Sequence, residues 1–255
     1  KAAGFTALLR VGSAAFVPAE AAAPPVFDWP VALAFLAGLT AVLGNMGAMW
    51  QTNLKRLLAH ASVGHAGFLL MGLAVLGTAG AELGLTALAF YLAFYAVAVA
   101  SVFFVMGLVS RAGGGETLRD YEGLARRSPA LAAALLVGVL SMGGIPPMAG
   151  FAGKIFIVAA TWKGGLHVLA FVAGFAMVLS IVYTLMILRA VFVAPAREGL
   201  PAVRVAGFDG AALLVLSLAL IVFGVYPQPV TALLTDAVQS LLAPGAAPVL
   251  VALGN

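Results

Sequence analysis

The sequence SMGGIPPMAGFAGKIFIVAATW, residues 141–162, is an apolar helical segment with an interruption near its beginning. Two glycines and two prolines form the interruption, namely Gly143, Gly144, Pro146 and Pro147. Proline removes a backbone donor and obstructs the preceding turn, so a regular helix does not run through two adjacent prolines. Lys154 follows within about two helical turns. We therefore predict a broken helix whose freed backbone groups provide polar partners for a buried lysine.

The composition of the chain is that of an integral membrane protein. Of its 255 residues, 64% are hydrophobic and 9% are charged, whereas soluble domains carry about 25% charged residues. The net charge of +4 fits basic loops beside a membrane, and no basic run with interleaved aromatic residues indicates nucleic-acid binding. The absence of cysteine excludes cysteine-ligated iron–sulfur clusters and disulfides. Because Lys1 already opens an apolar segment, we expect a further portion before it.

Apolar segments of about 20 residues, the length that crosses a bilayer, divide the chain into about seven spans. The predicted spans are residues 1–17, 31–50, 54–76, 83–109, 130–162, 165–193 and 211–226, of which the fifth is broken. Asn53 or Thr52 is a suitable N-cap for the third span. We assign residues 1–226 to one membrane domain and residues 227–255 to an amphipathic C-terminal tail. The tail predicts an interfacial helix, a docking helix for a neighbouring subunit, or an ordinary surface helix.

Basic residues are distributed unequally between the two sides of this topology. One side receives nine of them, namely Lys55, Arg56, Arg111, Arg119, Arg126, Arg127, Arg189, Arg197 and Arg204. The other side receives Arg10 and Lys163. Cytoplasmic loops of membrane proteins carry an excess of lysine and arginine. We therefore predict that the loops at residues 51–56, 110–128 and 194–208 are cytoplasmic.

Three polar side chains lie near the middle of the bilayer in this topology, namely those of Lys1, His65 and Lys154. Each is nine or ten residues from a basic residue that marks a helix end, or about 13–15 Å at 1.5 Å per residue. The hydrocarbon core is about 30 Å thick. A lysine at this depth requires an explanation, because its insertion costs about 2.5–3.5 kcal/mol or more.

Several explanations of these groups remain open. Each lysine could extend its ammonium to an interface, or form a structural salt bridge with an acid outside this sequence. The functional alternative is proton carriage, because desolvation favours the neutral form of a lysine and so allows it to accept and release protons. His65 is either a proton relay or a packing residue. For Tyr91 on the fourth span, hydrogen-bonded packing is the favoured interpretation.

Four segments carry a resemblance to a known family: GGIPPMAGFAGKIFIV, QTNLKRLLAHASVGHAGFLLMGL, DYEGLARRSP and the opening KAAGF. They resemble the C-terminal half of the N-type antiporter-like subunit of bacterial respiratory complex I, the proton-translocating NADH:quinone oxidoreductase. The resemblance covers essentially the whole chain and implies an all-α polytopic membrane protein of the antiporter-like fold. Residues 31–193 would form the second inverted five-helix repeat, with its broken helix at 130–162 and helices flanking it.

The resemblance also implies roles for individual residues. Lys1 matches the lysine of the central hydrophilic axis, Lys154 matches the lysine of the outward half-channel, and His65 lies in the SxxHxG stretch 62–67. The chain would be a non-redox, proton-translocating enzyme subunit in the bacterial inner membrane, with internal water beside these residues. It would hold no cofactor. Flavin, iron–sulfur clusters and quinone would belong to partner subunits, and other membrane subunits of complex I would be its neighbours.

Related proteins provide the rival interpretations. The M-type subunit usually carries glutamate where Lys154 stands, and the L-type subunit has a long lateral helix after its last spans. Subunits of multi-subunit sodium/proton antiporters share the architecture. Sodium requires hard oxygen ligands, usually including a carboxylate. The predicted spans contain no carboxylate. A membrane subunit that acts only as a scaffold is the third alternative.

Overall fold

The structure, a computed structural model, describes residues 4–5, 7–8, 29–196, 202–203, 205 and 207–242. In this part of the chain the regular secondary structure is helical, and the only β-type pairing is an isolated bridge between Asn53 and Thr117. Five of the described helices are long and apolar enough to cross a membrane. The predicted all-α membrane fold is therefore confirmed. Lys1 and most of the first predicted span lie outside the described residues.

The main helices of the described part are labelled in chain order. They are α1 (Trp29–Met49), α2 (Leu54–Ala74), α3 (Ala81–Arg111), α4 (Pro129–Gly143), α5 (Ala149–Lys163), α6 (His167–Leu188), α7 (Gly207–Val225) and α8 (Gln228–Leu242). Two single turns, Leu118–Tyr121 and Leu124–Arg127, connect α3 to α4, and a π-helical turn, Arg189–Val193, continues α6. Helices α4 and α5 are the two halves of the predicted broken span. The five spans from α1 to α6 form the predicted repeat.

Helices α1 and α2 approach each other closely because small residues line their contact. A Cβ atom placed on Gly67 would lie 2.6 Å from the Cα of Ala41, and one on Gly64 would lie 2.9 Å from the Asn45 side chain. Asn45 donates to the carbonyl of Ala41 in its own helix, at 2.8 Å, and its amide group packs against Gly64. Small residues allow close backbone approach where no hydrophobic effect drives helix association in lipid.

Replacing Gly67 with valine is expected to destabilise the chain by about 1–3 kcal/mol or more, because the added atoms would overlap the backbone of α1. The measurement is thermal unfolding of the assembled protein in detergent. Gly174 on α6 is the matched control, since a Cβ atom there has no heavy atom within 4 Å. Equal unfolding temperatures for Gly67→Val and Gly174→Val would contradict this account of the α1–α2 contact.

The polar connection before α2 is fixed by backbone and charge interactions with residues 116–118. Asn53, one of the two N-cap residues that the sequence predicted, is the N-cap of α2, and its side-chain oxygen accepts from the N–H of Arg56 at 3.0 Å. Lys55 donates to Oε1 of Glu116 at 3.0 Å, and this ammonium holds the pKa of the Glu116 carboxyl below its usual range. The contacts join two of the loops that the charge distribution places on the same side.

Helix α8 lies against the beginning of α3. Val238 is its buried apolar contact, and Gln239 donates to Glu82 at 2.9 Å. The hydroxyls of Thr86 and Thr235 lie 3.4 Å apart. One face of the amphipathic helix α8 therefore packs against α3 of the same chain. The prediction that α8 also docks a neighbouring subunit stays a prediction.

Candidate functional site

The interruption between α4 and α5 leaves backbone carbonyls without helical partners. Helix α4 ends at Gly143, and Gly144 adopts a left-handed conformation with φ of +74° that glycine tolerates best. The last carbonyls of any helix lack an intrahelical donor. Here the N–H groups of Gly144 and Ile145 return to the carbonyls of Ser141 and Leu140. The carbonyls of Met142 and Gly143 remain available to a side chain.

Lys154, in the second turn of α5, fills this opening. Its side chain is completely buried, and Nζ donates to the carbonyl of Met142 at 2.9 Å and to that of Gly143 at 3.2 Å. A third hydrogen bond, of 3.0 Å, reaches Oγ of Ser180 on α6. An ammonium has three N–H donors, so this set satisfies all of them. We call these three acceptors the lysine-binding oxygens.

Phe68 on α2 also contacts the ammonium. Nζ of Lys154 lies 5.0 Å from the centroid of this fully buried ring. A cation within about 6 Å of an aromatic centroid is attracted by the ring quadrupole, most strongly where water is absent. The lysine therefore faces the protein interior. Neither an ammonium extended to an interface nor one exposed to lipid describes this conformation.

Helix α5 begins beside the same opening. Ser141, on the last turn of α4, is buried, and its hydroxyl accepts from the N–H of Gly150 at 3.1 Å. This bond satisfies one of the free N–H groups at the beginning of α5. A Cβ atom on Gly144 would lie 2.8 Å from Cδ of Lys154, so a larger residue would displace the lysine. Gly144 thus leaves space for the Lys154 side chain, and Ser141 fixes the beginning of the helix that carries it.

His65 lies one turn before Phe68 on α2 and is 2% exposed. Its Nδ1 is 2.5 Å from the hydroxyl of Tyr91 on α3, and its ring centroid is 4.5 Å from that of Tyr95. Tyr91 is thus hydrogen-bonded in the core, in the way the sequence favoured. The hydroxyl fixes the orientation of the imidazole, whose protonation state determines which partner donates.

Phe68 contacts Lys154 and also Tyr91, the hydrogen-bond partner of His65. One face of its ring contacts the Lys154 ammonium, and its centroid lies 6.1 Å from that of Tyr91, edge to face. A series of contacts through Phe68 and Tyr91 therefore connects Lys154 to His65, among helices α2, α3, α5 and α6. Lys1, the third residue of the sequence prediction, lies outside the described residues.

Sequence reasoning did not identify Phe68 or Ser180 as parts of this site. A phenylalanine three residues after a histidine shares its helix face, but that pattern is common in apolar helices. Ser180 is one of a few hydroxyl residues on α6, and only the packing of α6 against α4 places it at the lysine. Among the described residues no group of histidine, acidic and cysteine side chains could hold a metal ion.

A buried cation at a break between two half-helices, inside a bundle of membrane spans, defines a class of multi-pass membrane proteins with discontinuous helices. In that class such breaks mark ion pathways. The match with a family model is more specific. The chain belongs to the NADH:quinone oxidoreductase/Mrp antiporter transmembrane family, whose model matches residues 8–180.

Curated relatives and solved structures agree with this membership. NADH-quinone oxidoreductase subunit N of Desulforamulus reducens is 33% identical over 95% of this chain and 48% of its own length. The corresponding subunit N of Moorella thermoacetica is 37% identical over 91% of this chain and 46% of its own length. The chain therefore spans about half the length of the curated relatives it matches. These relatives are subunits of an enzyme complex.

Among solved structures, a chain of respiratory complex I from Thermus thermophilus with bound aureothin has a TM-score of 0.73 at 33% identity. That likeness covers 91% of this chain and 48% of the other. A chain of the membrane-bound sulfane sulfur reductase, an archaeal respiratory membrane complex, has a TM-score of 0.79 at 26% identity. This likeness covers 94% of the present chain and 47% of the other. A chain of the Mrp complex from Dietzia, at 23% identity and a TM-score of 0.76, shows the same fold. The predicted antiporter-like fold is confirmed.

Proposed function

We propose that this chain translocates protons as a non-redox membrane subunit of an NADH:quinone oxidoreductase. The observation that carries the proposal is the fully buried Lys154 ammonium, held by the lysine-binding oxygens at the helix break. A structural lysine needs an acidic partner or a route to water. Within the described residues Lys154 has no acidic partner, since its three acceptors are uncharged, and its side chain is completely buried. A group that gains and loses a proton accounts for its position.

In this mechanism Lys154 and His65 exchange protons by way of internal water, and Lys154 releases protons towards the end of α5 that carries Lys163. Loss of one proton leaves Nζ with two N–H donors, so one of the three lysine-binding oxygens becomes available to a water molecule. Lys1 would continue the pathway before the described residues. The driving energy comes from quinone chemistry in other subunits, which also contain the flavin and iron–sulfur clusters. The basic loops are cytoplasmic, and the membrane is the bacterial inner membrane.

The substitution Lys154→Gln tests this proposal in the assembled complex, because an amide retains two N–H donors for the lysine-binding oxygens but does not titrate. We expect normal assembly and fewer protons translocated per NADH oxidised in proteoliposomes. Lys163→Gln, at the exposed end of α5, is the control and should match the wild type. Unchanged proton translocation in an assembled Lys154→Gln complex would instead favour a scaffold subunit.

A sodium/proton antiporter subunit is a second candidate, because the matched family includes the Mrp antiporters. Away from the helix ends, the described spans contain no carboxylate to coordinate sodium. We therefore expect translocation by this chain to be independent of sodium. The measurement is proton uptake by proteoliposomes with sodium replaced by choline. A proportional dependence on sodium concentration would support the antiporter function.

Replacing Tyr91 with phenylalanine is expected to slow proton transfer at His65 about tenfold, because one buried hydrogen bond contributes on the order of 1.4 kcal/mol. The measurement is the rate of proton translocation at constant NADH oxidation. Tyr121→Phe is the control, since this tyrosine is equally buried but lies in the connection between α3 and α4. Equal rates in both variants would mean that the Tyr91 hydroxyl does not position His65.

A further inference from the structure

A groove of about 510 Å³ lies between α4 and the end of α6. Its lining is apolar except for one arginine and consists of Leu136, Leu185, Leu188, Arg189, Phe192 and Val193. The volume is in the range of about 300–1,000 Å³ that is usual for sites of small organic ligands. Phe192 and Val193 belong to the π-helical turn. Such turns are rare in proteins, and those that occur are often found at functional sites.

Arg189 lies at the level of the lipid headgroups. Helix α6 has 22 residues and is therefore about 33 Å long, which matches the roughly 30 Å of the hydrocarbon core. Arg189 is the first residue after it. Among the described residues no carboxylate forms an ion pair with this exposed guanidinium. Its charge is therefore available to an external anion.

Further positive charge lies beside the same turn. The N–H of Gly123 donates to the carbonyl of Ala190 at 3.0 Å, which holds the single helical turn with Arg126 and Arg127 close to the π-helical turn. The connection as a whole carries equal numbers of arginines and acidic residues, but this turn, Leu124–Arg127, contains two arginines and no acidic residue. An anion at the end of the groove is thus favoured by its wider surroundings as well as by Arg189.

We propose that this groove binds an anionic phospholipid. The guanidinium of Arg189 contacts the phosphate, for which its planar arrangement of N–H donors is suited. One acyl chain follows the apolar lining from Arg189 towards Leu185 and Leu136. A phospholipid combines an apolar chain with an anion at the depth where the groove has its single charge. An apolar helix of a neighbouring protein would cover the leucines but leave the arginine without an anion.

The test uses the assembled complex in nanodiscs and two substitutions that act on different parts of the groove. Arg189→Gln removes the charge, and Leu185→Trp fills the apolar channel without changing the charge. Arg111→Gln is the matched control, because Arg111 is also an exposed arginine at the C-terminal end of a helix, α3. Binding of spin-labelled phosphatidylglycerol and phosphatidylcholine is measured for each variant, together with the phospholipid retained after detergent washing.

Arg189→Gln is expected to weaken phosphatidylglycerol binding about tenfold, the effect of losing one hydrogen bond to a charged group. Its effect on phosphatidylcholine should be smaller, Leu185→Trp should exclude both lipids, and Arg111→Gln should bind as the wild type does. Equal retention in all variants would overturn the proposal. Photo-crosslinking from position 185 to another protein subunit, in place of lipid, would overturn it as well.

Discussion

Replacing Lys154 with alanine is expected to slow the proton-transfer step at this position on the order of 100-fold or more, because a positioned proton donor and acceptor contributes about 10²–10⁴-fold. The alanine side chain neither titrates nor reaches the lysine-binding oxygens. In the assembled complex, the protons translocated per NADH oxidised should fall. Lys163→Ala, at the exposed end of the same helix, should retain the wild-type ratio.

The truncation also leaves a space beside oxygens that have lost their donor. Each unsatisfied buried carbonyl costs about 1–3 kcal/mol, so assembly of Lys154→Ala must be verified before translocation is compared. Methylammonium has the same N–H donors as the missing side chain and fits the same acceptors. We expect it to restore part of the translocation. Because permeant amines dissipate pH differences, the measurement is the membrane potential generated during NADH oxidation.

Tetramethylammonium is the control for this restoration. It has the same charge but no N–H group, and so it cannot donate to the carbonyls of Met142 and Gly143. If both cations restored the potential equally, a general effect of charge would be responsible. If neither did so in a fully assembled complex, the hydrogen bonds seen at the lysine-binding oxygens would not be the ones that matter for transfer.

The positions of the helices could be predicted from the sequence because hydropathy and bilayer thickness determine them. The predicted span 54–76 corresponds to α2, and the predicted break in 130–162 corresponds to the gap between Gly143 and Ala149. The predicted start at residue 83 was two residues late for α3, whose first turn includes the charged Glu82. Hydropathy does not register a charged residue that can reach water from a helix end.

The sequence predicts the chemical type of the groups that contact Lys154 but not which residues provide them. Proline chemistry indicates that carbonyls near Pro146 are free, but the sequence does not state which of them face Lys154. That choice depends on the left-handed Gly144 and on the packing of α6, which brings Ser180 to the lysine. The contact of Phe68 with the ammonium arises from the close packing of α2 with its neighbours. Such long-range contacts have no local sequence signal.

Replacing Phe68 with alanine is expected to raise the passive proton leak of the resting complex about tenfold or more. The ring packs against both the Lys154 ammonium and Tyr91. Its removal leaves a space several times larger than the approximately 30 Å³ share of one water molecule, with polar groups on its walls, and water enters polar cavities of this size. The measurement is proton flux through proteoliposomes under an imposed pH difference without NADH.

Phe90→Ala is the matched control for the loss of a core aromatic ring. Phe90 is also fully buried and packs against Phe94 and Phe156 in an apolar cluster. Both substitutions should destabilise the chain by about 3–5 kcal/mol, but only a cavity beside polar groups should conduct protons. Equal leaks in the two variants would show that loosened packing alone is responsible, and that Phe68 is no barrier between Lys154 and His65.

Two further substitutions separate the functions of the ring. Phe68→Leu keeps an apolar barrier but removes the attraction between ring and ammonium, which is worth about 0.5–2 kcal/mol. We expect it to conduct no more than the wild type at rest. The double substitution Phe68→Ala with Lys154→Gln identifies the route of the leak. If the leak passes through the lysine, removing its titratable group should abolish the flux, whereas water that bypasses Lys154 would conduct equally in the double variant.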